Sequence, residues 1–197
     1  MNVISHYDNL INEGNDPFRY PEPLRDYMNK WDGQLFIDVM ELSGEKKVIE
    51  IGIGTGRIAS KVAPHCLELY GIDISPKTIE RATENLTEYS NIQFICADFL
   101  EYNFDQTLNV IYSSLTMMHF EDKQRVIHKV DNLLERNGVF CLSIDKNTDD
   151  KIDMGNYKLK VYLDSVEDIE KCISLTDMNI VNQYETEFAH IFVCRKK

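Results

Sequence analysis

From residue 47 onward, short apolar runs alternate with amphipathic stretches, and this alternation leaves few folds open to the chain. Residues 47–52 (KVIEIG), 67–73 (LELYGID), 92–97 (IQFICA), 109–113 (NVIYS) and 139–144 read as buried strands, with 57–63, 76–86 and 122–136 as helices between them. Ser75 suits the cap and Pro76 the first turn of the second helix, while Val126, Ile127, Val130, Leu133 and Leu134 share a face of the third, which Asn137-Gly138 is expected to stop. Strands joined through helices at this spacing imply right-handed crossovers and a parallel sheet. Residues 165–175 form a further helix whose Ser165 and Asp168 suit a capping box. The apolar runs 180–184 and 188–194 then follow with only Glu185-Thr186-Glu187 between them. Three residues cannot make a parallel crossover, so the last strand is expected to run antiparallel.

Two segments read less simply. Residues 23–42 suit one or two helices broken near Gly33, and 145–164 link the fifth strand to the last helix with a short strand possible at 158–163. The chain of 197 residues is long enough for one domain with a buried core. Its net charge of −12, from 21 Lys+Arg against 33 Asp+Glu, opposes a nucleic-acid partner. Neither a membrane-length apolar run nor a basic-then-apolar leader is present, so a cytoplasmic protein is expected, as monomer or homodimer. Five cysteines without a C-x-x-C pair suggest no disulfide framework or zinc site, with Cys96, Cys141 and Cys194 read as small core residues. No His/Asp/Glu pattern at metal-ligand spacing is evident, so no metal is expected.

The chemistry concentrates where the first strand ends, in Glu50-Ile51-Gly52-Ile53-Gly54-Thr55-Gly56-Arg57. Alternate glycines at a strand-to-helix turn let the backbone approach a ligand, and the following helix N-terminus favours an anionic group. Asp73 ends the second strand, where a carboxylate accepts ribose hydroxyls. A nucleoside-bearing cofactor at the carboxyl edge of the sheet is the reading. A dinucleotide fingerprint is G-x-G-x-x-G, whereas the spacing here is G-x-G-x-G with Arg57 at the third dinucleotide position. No Gly-Lys-Ser/Thr follows, which removes a P-loop.

These residues resemble a family. VIEIGIGTGRIA (48–59) is similar to motif I of the class I S-adenosylmethionine-dependent methyltransferases, and GIDISPKTIERA (71–82), FICADFLEY (94–102), NVIYSSLTMMHF (109–120) and LLERNGVFCLSI (133–144) resemble that family's later segments in order. The resemblance implies a doubly wound, Rossmann-like three-layer α/β sandwich. Its seven-stranded, mostly parallel sheet would have the order 3-2-1-4-5-7-6. It implies S-adenosyl-L-methionine as cofactor. Gly52, Gly54 and Gly56 would line the methionine portion with Glu50 near its amino group, and Ser113 and Ser114 would lend backbone beside it. Asp73 would hold the ribose, Ile74 would pack on the adenine, Asp98 would accept from its amino group, and Phe99 N–H would meet a ring nitrogen.

His119, in the loop after the fourth strand, is the candidate base, to be weighed against a histidine packed at a helix start. Residues 1–46 are read as a helical lid over a 47–197 core, with Tyr7 and Tyr20 as contacts to the cofactor and Trp31 in the same segment. SSLTMMHF departs from the Asn/Asp-Pro-Pro-Tyr/Phe pattern of nucleic-acid amino-methylating enzymes, which points to a small-molecule acceptor. Two other readings remain at this stage, an NAD-dependent oxidoreductase and a non-catalytic S-adenosylmethionine-binding module.

Overall fold

The computed structural model describes residues 2–155 and 157–197. The strands are β1 (Lys47–Ile51), β2 (Glu68–Asp73), β3 (Ile92–Cys96), β4 (Leu108–Ser114), β5 (Leu134–Asp145), β6 (Lys151–Asp153), β7 (Lys158–Lys160), β8 (Met178–Glu185) and β9 (Ala189–Lys196). The helices are α1 (Val3–Asn12), α2 (Glu22–Met28), α3 (Gly33–Asp38), α4 (Ala59–Val62), α5 (Pro76–Asn85), α6 (Lys123–Leu133) and α7 (Val166–Ser174). Seven strands form one sheet in the order β3-β2-β1-β4-β5-β9-β8, with β6 and β7 as a separate hairpin. With that hairpin set aside, the order is the expected 3-2-1-4-5-7-6. β9 is antiparallel to both β5 and β8, and the other pairings in the sheet are parallel.

Period-two alternation in the strands divides the core into two layers. Ile49 and Ile51 of β1 join Phe140 and Leu142 of β5 beneath Val126, Ile127 and Val130 of α6 and Ile169 and Ile173 of α7. Val48, Tyr112 and Cys141 face the opposite layer, where Phe36 and Ile37 follow from α3, Met40 from the turn after it, and Ala59 and Val62 from α4. This burial of apolar surface on both faces is what makes the central strands continuously apolar. No helix among the described residues is long and apolar enough to cross a membrane.

Several boundaries depart from the sequence reading. α6 stops at Leu133, and residues 134–138 go to β5, because Leu134 pairs with Leu108 before the register shifts at Val110. Asn137, at φ +64, is an irregularity in the strand and not the end of a helix. The helix expected at 57–63 shrinks to α4 plus a 3₁₀ turn at Ala63–His65, since Pro64 has no N–H to continue the ladder. Cys141 and Cys194 are buried as expected, but Cys96 is exposed on the edge strand β3. Residues 23–42 form two helices, separated before Gly33 at φ +70. Within the helical segment expected at 1–46, no helix was placed before residue 23; α1 stands there, capped by Asn2, which accepts from Ser5 N–H at 2.8 Å.

α1 positions the amino-terminal segment over the ligand edge of the sheet. Asp8 accepts from Ser75 Oγ at 2.7 Å and from Lys77 N–H at 3.3 Å, which ties α1 to the start of α5. Buried Asp16 accepts from Arg81 and Asn85, each at 3.2 Å, and from the backbone of Phe18. Phe18 N–H also reaches Thr55 Oγ1 at 3.2 Å, so the loop after α1 is fastened to the glycine-rich turn itself.

Candidate ligand site

A cavity of about 260 Å³ opens at the carboxyl ends of β1, β2 and β4, beneath α1. The glycine turn forms its floor. Gly52 N–H and Ile53 N–H both donate to Ile72 O, at 2.8 and 3.1 Å, so the turn is bound to β2. Gly54, at φ +56, lines the cavity, and a Cβ placed there would meet nothing within 4 Å. That vacancy is space a ligand can occupy against bare backbone. Gly56 differs: it is outside the lining, and its Cβ would strike Leu86 at 2.6 Å. The third glycine serves close helix packing.

Asp73 stands opposite Gly54. Its carboxylate accepts from Gly54 N–H at 3.1 Å and from Ser75 N–H at 3.0 Å. Burial pushes this carboxyl upward, while the backbone donors oppose the shift. Ile74, Asp98 and Phe99 also line the cavity, and Asp98 accepts from Leu100 N–H at 2.7 Å. Glu50 lies deeper, only 2% exposed, and accepts from Tyr112 Oη at 2.8 Å. Burial raises its carboxyl to about 8, with Asp32 and Asp73 adding to the shift and Tyr112 and Arg57 opposing it.

Folding therefore favours the protonated Glu50. Its contribution to stability is fully present below the ordinary carboxylate range and is lost as pH rises through about 8. Melting of the ligand-free protein is expected to fall between about pH 5 and pH 8, and Glu50→Gln should flatten that slope. A slope unchanged by Glu50→Gln would assign the effect elsewhere.

The loop after β4 supplies the remaining wall. Leu115 takes φ +57 in a turn that aims Thr116 and His119 at the cavity. His119 Nε2 is 2.7 Å from Tyr7 Oη, with the rings edge to face. Burial lowers the His119 imidazole to about 4, with the His6 and Lys123 charges acting in the same direction. The ring is neutral at pH 7, and its Nδ1 has no partner among the described residues. Tyr7, half-buried, has its phenol raised by burial and by Asp73.

Tyr7 and Ser114 thus reach the cavity, whereas Tyr20 and Ser113 do not. Tyr20 donates to Asn15, and Ser113 Oγ donates to Ile51 O at 3.2 Å. Trp31 packs on Phe188, ring centroids 4.7 Å apart, away from the cavity. The sequence reading missed Asp32 altogether and saw Arg57 only as a break in a glycine pattern. The Arg57 guanidinium forks onto buried Asp32, with Nη1 at 3.0 Å from Oδ1 and Nη2 on Oδ2. Ser114 Oγ donates to the same carboxylate at 3.0 Å, which joins α3, the glycine turn and β4 behind the cavity.

A family model described as a methyltransferase domain matches residues 42–187. Nodulation protein S of Sinorhizobium fredii (strain NBRC 101917 / NGR234) is 30% identical over 104 residues, 50% of this chain and 48% of that protein. A malonyl-acyl-carrier-protein O-methyltransferase of Ilyobacter polytropus is 30% identical over 105 residues, 51% of this chain and 39% of that protein. The matches thus cover half or less of these relatives' length. Among solved structures, the N-methyltransferase NodS from Bradyrhizobium japonicum WM9, in complex with S-adenosyl-L-homocysteine, superposes with a TM-score of 0.72 at 17% identity. That match covers 100% of this chain and 99% of the other, and it shows a shared fold. The chain belongs to the methyltransferase-domain family, with the class I, Rossmann-like sheet.

Proposed function

We propose that the protein transfers the methyl group of S-adenosyl-L-methionine to a small-molecule acceptor. The observation that carries this reading is the juxtaposition of Gly54, open where its Cβ would stand, with the Asp73 carboxylate at the carboxyl edge of the sheet. The donor set suits the group. Asp73 keeps lone pairs for ribose hydroxyls beyond its two backbone donors, and Asp98 is placed to accept from an adenine amino group beside Ile74 and Phe99. Glu50 is the carboxylate for the methionine ammonium, with the backbone at Gly52 and Ser114 near it.

When bound, S-adenosylmethionine supplies a methyl group already activated by its sulfonium. The residues of this chain then have to hold donor and acceptor in line and exclude water. α1, bringing Val3 and Tyr7 onto the cavity, acts as the lid in this reading. His119 remains the acid–base candidate. At about 4 it is poorly matched to stripping a proton from a hydroxyl, and it serves better to orient an acceptor whose lone pair is already free. No metal enters this scheme, so turnover is expected to survive a chelator. The same reading takes the protein as cytoplasmic.

Calorimetry separates this function from nicotinamide chemistry. S-adenosylmethionine and S-adenosylhomocysteine are expected to bind saturably and NAD far more weakly. An ammonium seated on Glu50 should also displace its proton, so the apparent heat at neutral pH should vary with the ionisation heat of the buffer. Tight NAD binding with no heat from either sulfur compound would overturn the reading.

A further inference from the structure

A second cleft, of about 310 Å³, lies on the far side of Arg57 between α2 and α4. Arg57 lines both this cleft and the donor cavity, but its guanidinium is occupied by Asp32. Lys61 and Arg25, from α4 and α2, bring two further cations to the cleft. Lys61 is partly buried, and its Nζ donates to Asn29 Oδ1 at 3.1 Å. Among the described residues neither Lys61 nor Arg25 forms an ion pair, and the Arg25 guanidinium has no side-chain hydrogen bond.

A desolvated ammonium with only an amide oxygen for company lacks the counter-charge that burial demands. Burial and the neighbouring Arg57 and Arg25 charges all push Lys61 down, and Asp32, opposing them, is already shared between Arg57 and Ser114. Glu22 and Asp26 also line the cleft, yet neither forms an ion pair with Lys61 among the described residues. Unused donors from two elements therefore converge in a protein whose net charge is −12 and whose mean field repels anions.

We propose that this cleft is a binding site for a phosphate group, held by Arg25 and Lys61 beside the donor cavity. The flat guanidinium and the compact ammonium together offer a phosphate donors from two directions. A free phosphate ion and a phosphate carried by the methyl acceptor present the same chemistry here. The inference stands apart from methyl transfer, because its test reads binding alone.

The experiment titrates the full chain with inorganic phosphate and with phosphoethanolamine, a phosphomonoester bearing an amine, each with and without S-adenosylhomocysteine. Saturable binding is expected, weakened about tenfold or more by Arg25→Gln or Lys61→Gln. Glu22→Gln should strengthen it, and Lys151→Gln, on the separate hairpin, should leave it unchanged. Equal binding of both probes regardless of S-adenosylhomocysteine assigns the site to the free ion. A preference for phosphoethanolamine that appears only with S-adenosylhomocysteine assigns it to the acceptor. No saturable binding at millimolar concentrations, or wild-type affinity in both Gln variants, would overturn the proposal. Arg25 is exposed on α2, so Arg25→Gln keeps the test readable if Lys61→Gln perturbs folding.

Discussion

Replacing Asp32 by alanine is expected to destabilise the protein by about 3–5 kcal/mol, the range for breaking a buried ion pair from one side. Asp32 has a side chain only 3% exposed, and it accepts from Arg57, Ser114 and Gly33 at once. Its removal leaves the Arg57 side chain, 12% exposed, with no counter-ion and strands the Ser114 hydroxyl. At roughly 2–4 °C per kcal/mol for a chain of this size, melting should fall by on the order of 10 °C. The cause can be isolated. Arg57→Met added to Asp32→Ala should recover much of the loss, because the penalty lies in the unpaired charge and not in the missing attraction. A double variant as unstable as the sum of the singles would show that Asp32 acts through the backbone at Gly33 instead.

The second large effect falls on donor binding. Asp73→Ala removes the acceptor for two ribose hydroxyls, which should cost on the order of 2–3 kcal/mol, about 30- to 150-fold in affinity for S-adenosylhomocysteine. From sequence, a carboxylate at the edge of the sheet has little packing role. The geometry gives it a structural one, since it fastens Gly54 N–H and Ser75 N–H and so holds the glycine turn against α5. The ligand-free variant is therefore expected to lose about 1–3 kcal/mol as well, for buried donors left unmatched. Asp73→Asn keeps an amide oxygen and should lose less stability while still binding weakly. Unaltered affinity in both variants would mean that Asp73 is a turn fastener only.

The centre of the sheet was legible because its strands are buried on both faces and so stand out as continuous apolar runs. The antiparallel final strand followed from the three residues at 185–187, too few for any crossover. The helix-to-strand boundary at Leu134 was not legible. Leu133 and Leu134 continue a helical stripe, and only pairing with Leu108, which is distant in sequence, draws the second of them into β5. The site divides in a similar way. Gly54 and Asp73 could be placed because a local turn and a strand end position them. Gly56 looked equivalent to Gly54, yet the packing of Leu86 against it is a tertiary fact. Arg57 and Asp32 meet across the glycine turn and α3, and no periodicity marks a pair of that kind. Tyr7 reached the cavity through α1, whose Val3, Tyr7, Leu10 and Ile11 stand at helical spacing that the sequence reading passed over.

The most direct test of the central claim follows the methyl group itself. The full chain is incubated with methyl-labelled S-adenosylmethionine and a metabolite extract, and the label is traced by mass into small-molecule and macromolecular fractions. The expected result is label in a low-mass product, formed by the wild type and strongly reduced in Asp73→Ala. A protein that binds S-adenosylmethionine yet moves no label into any fraction would contradict methyl transfer and leave a binding module in its place.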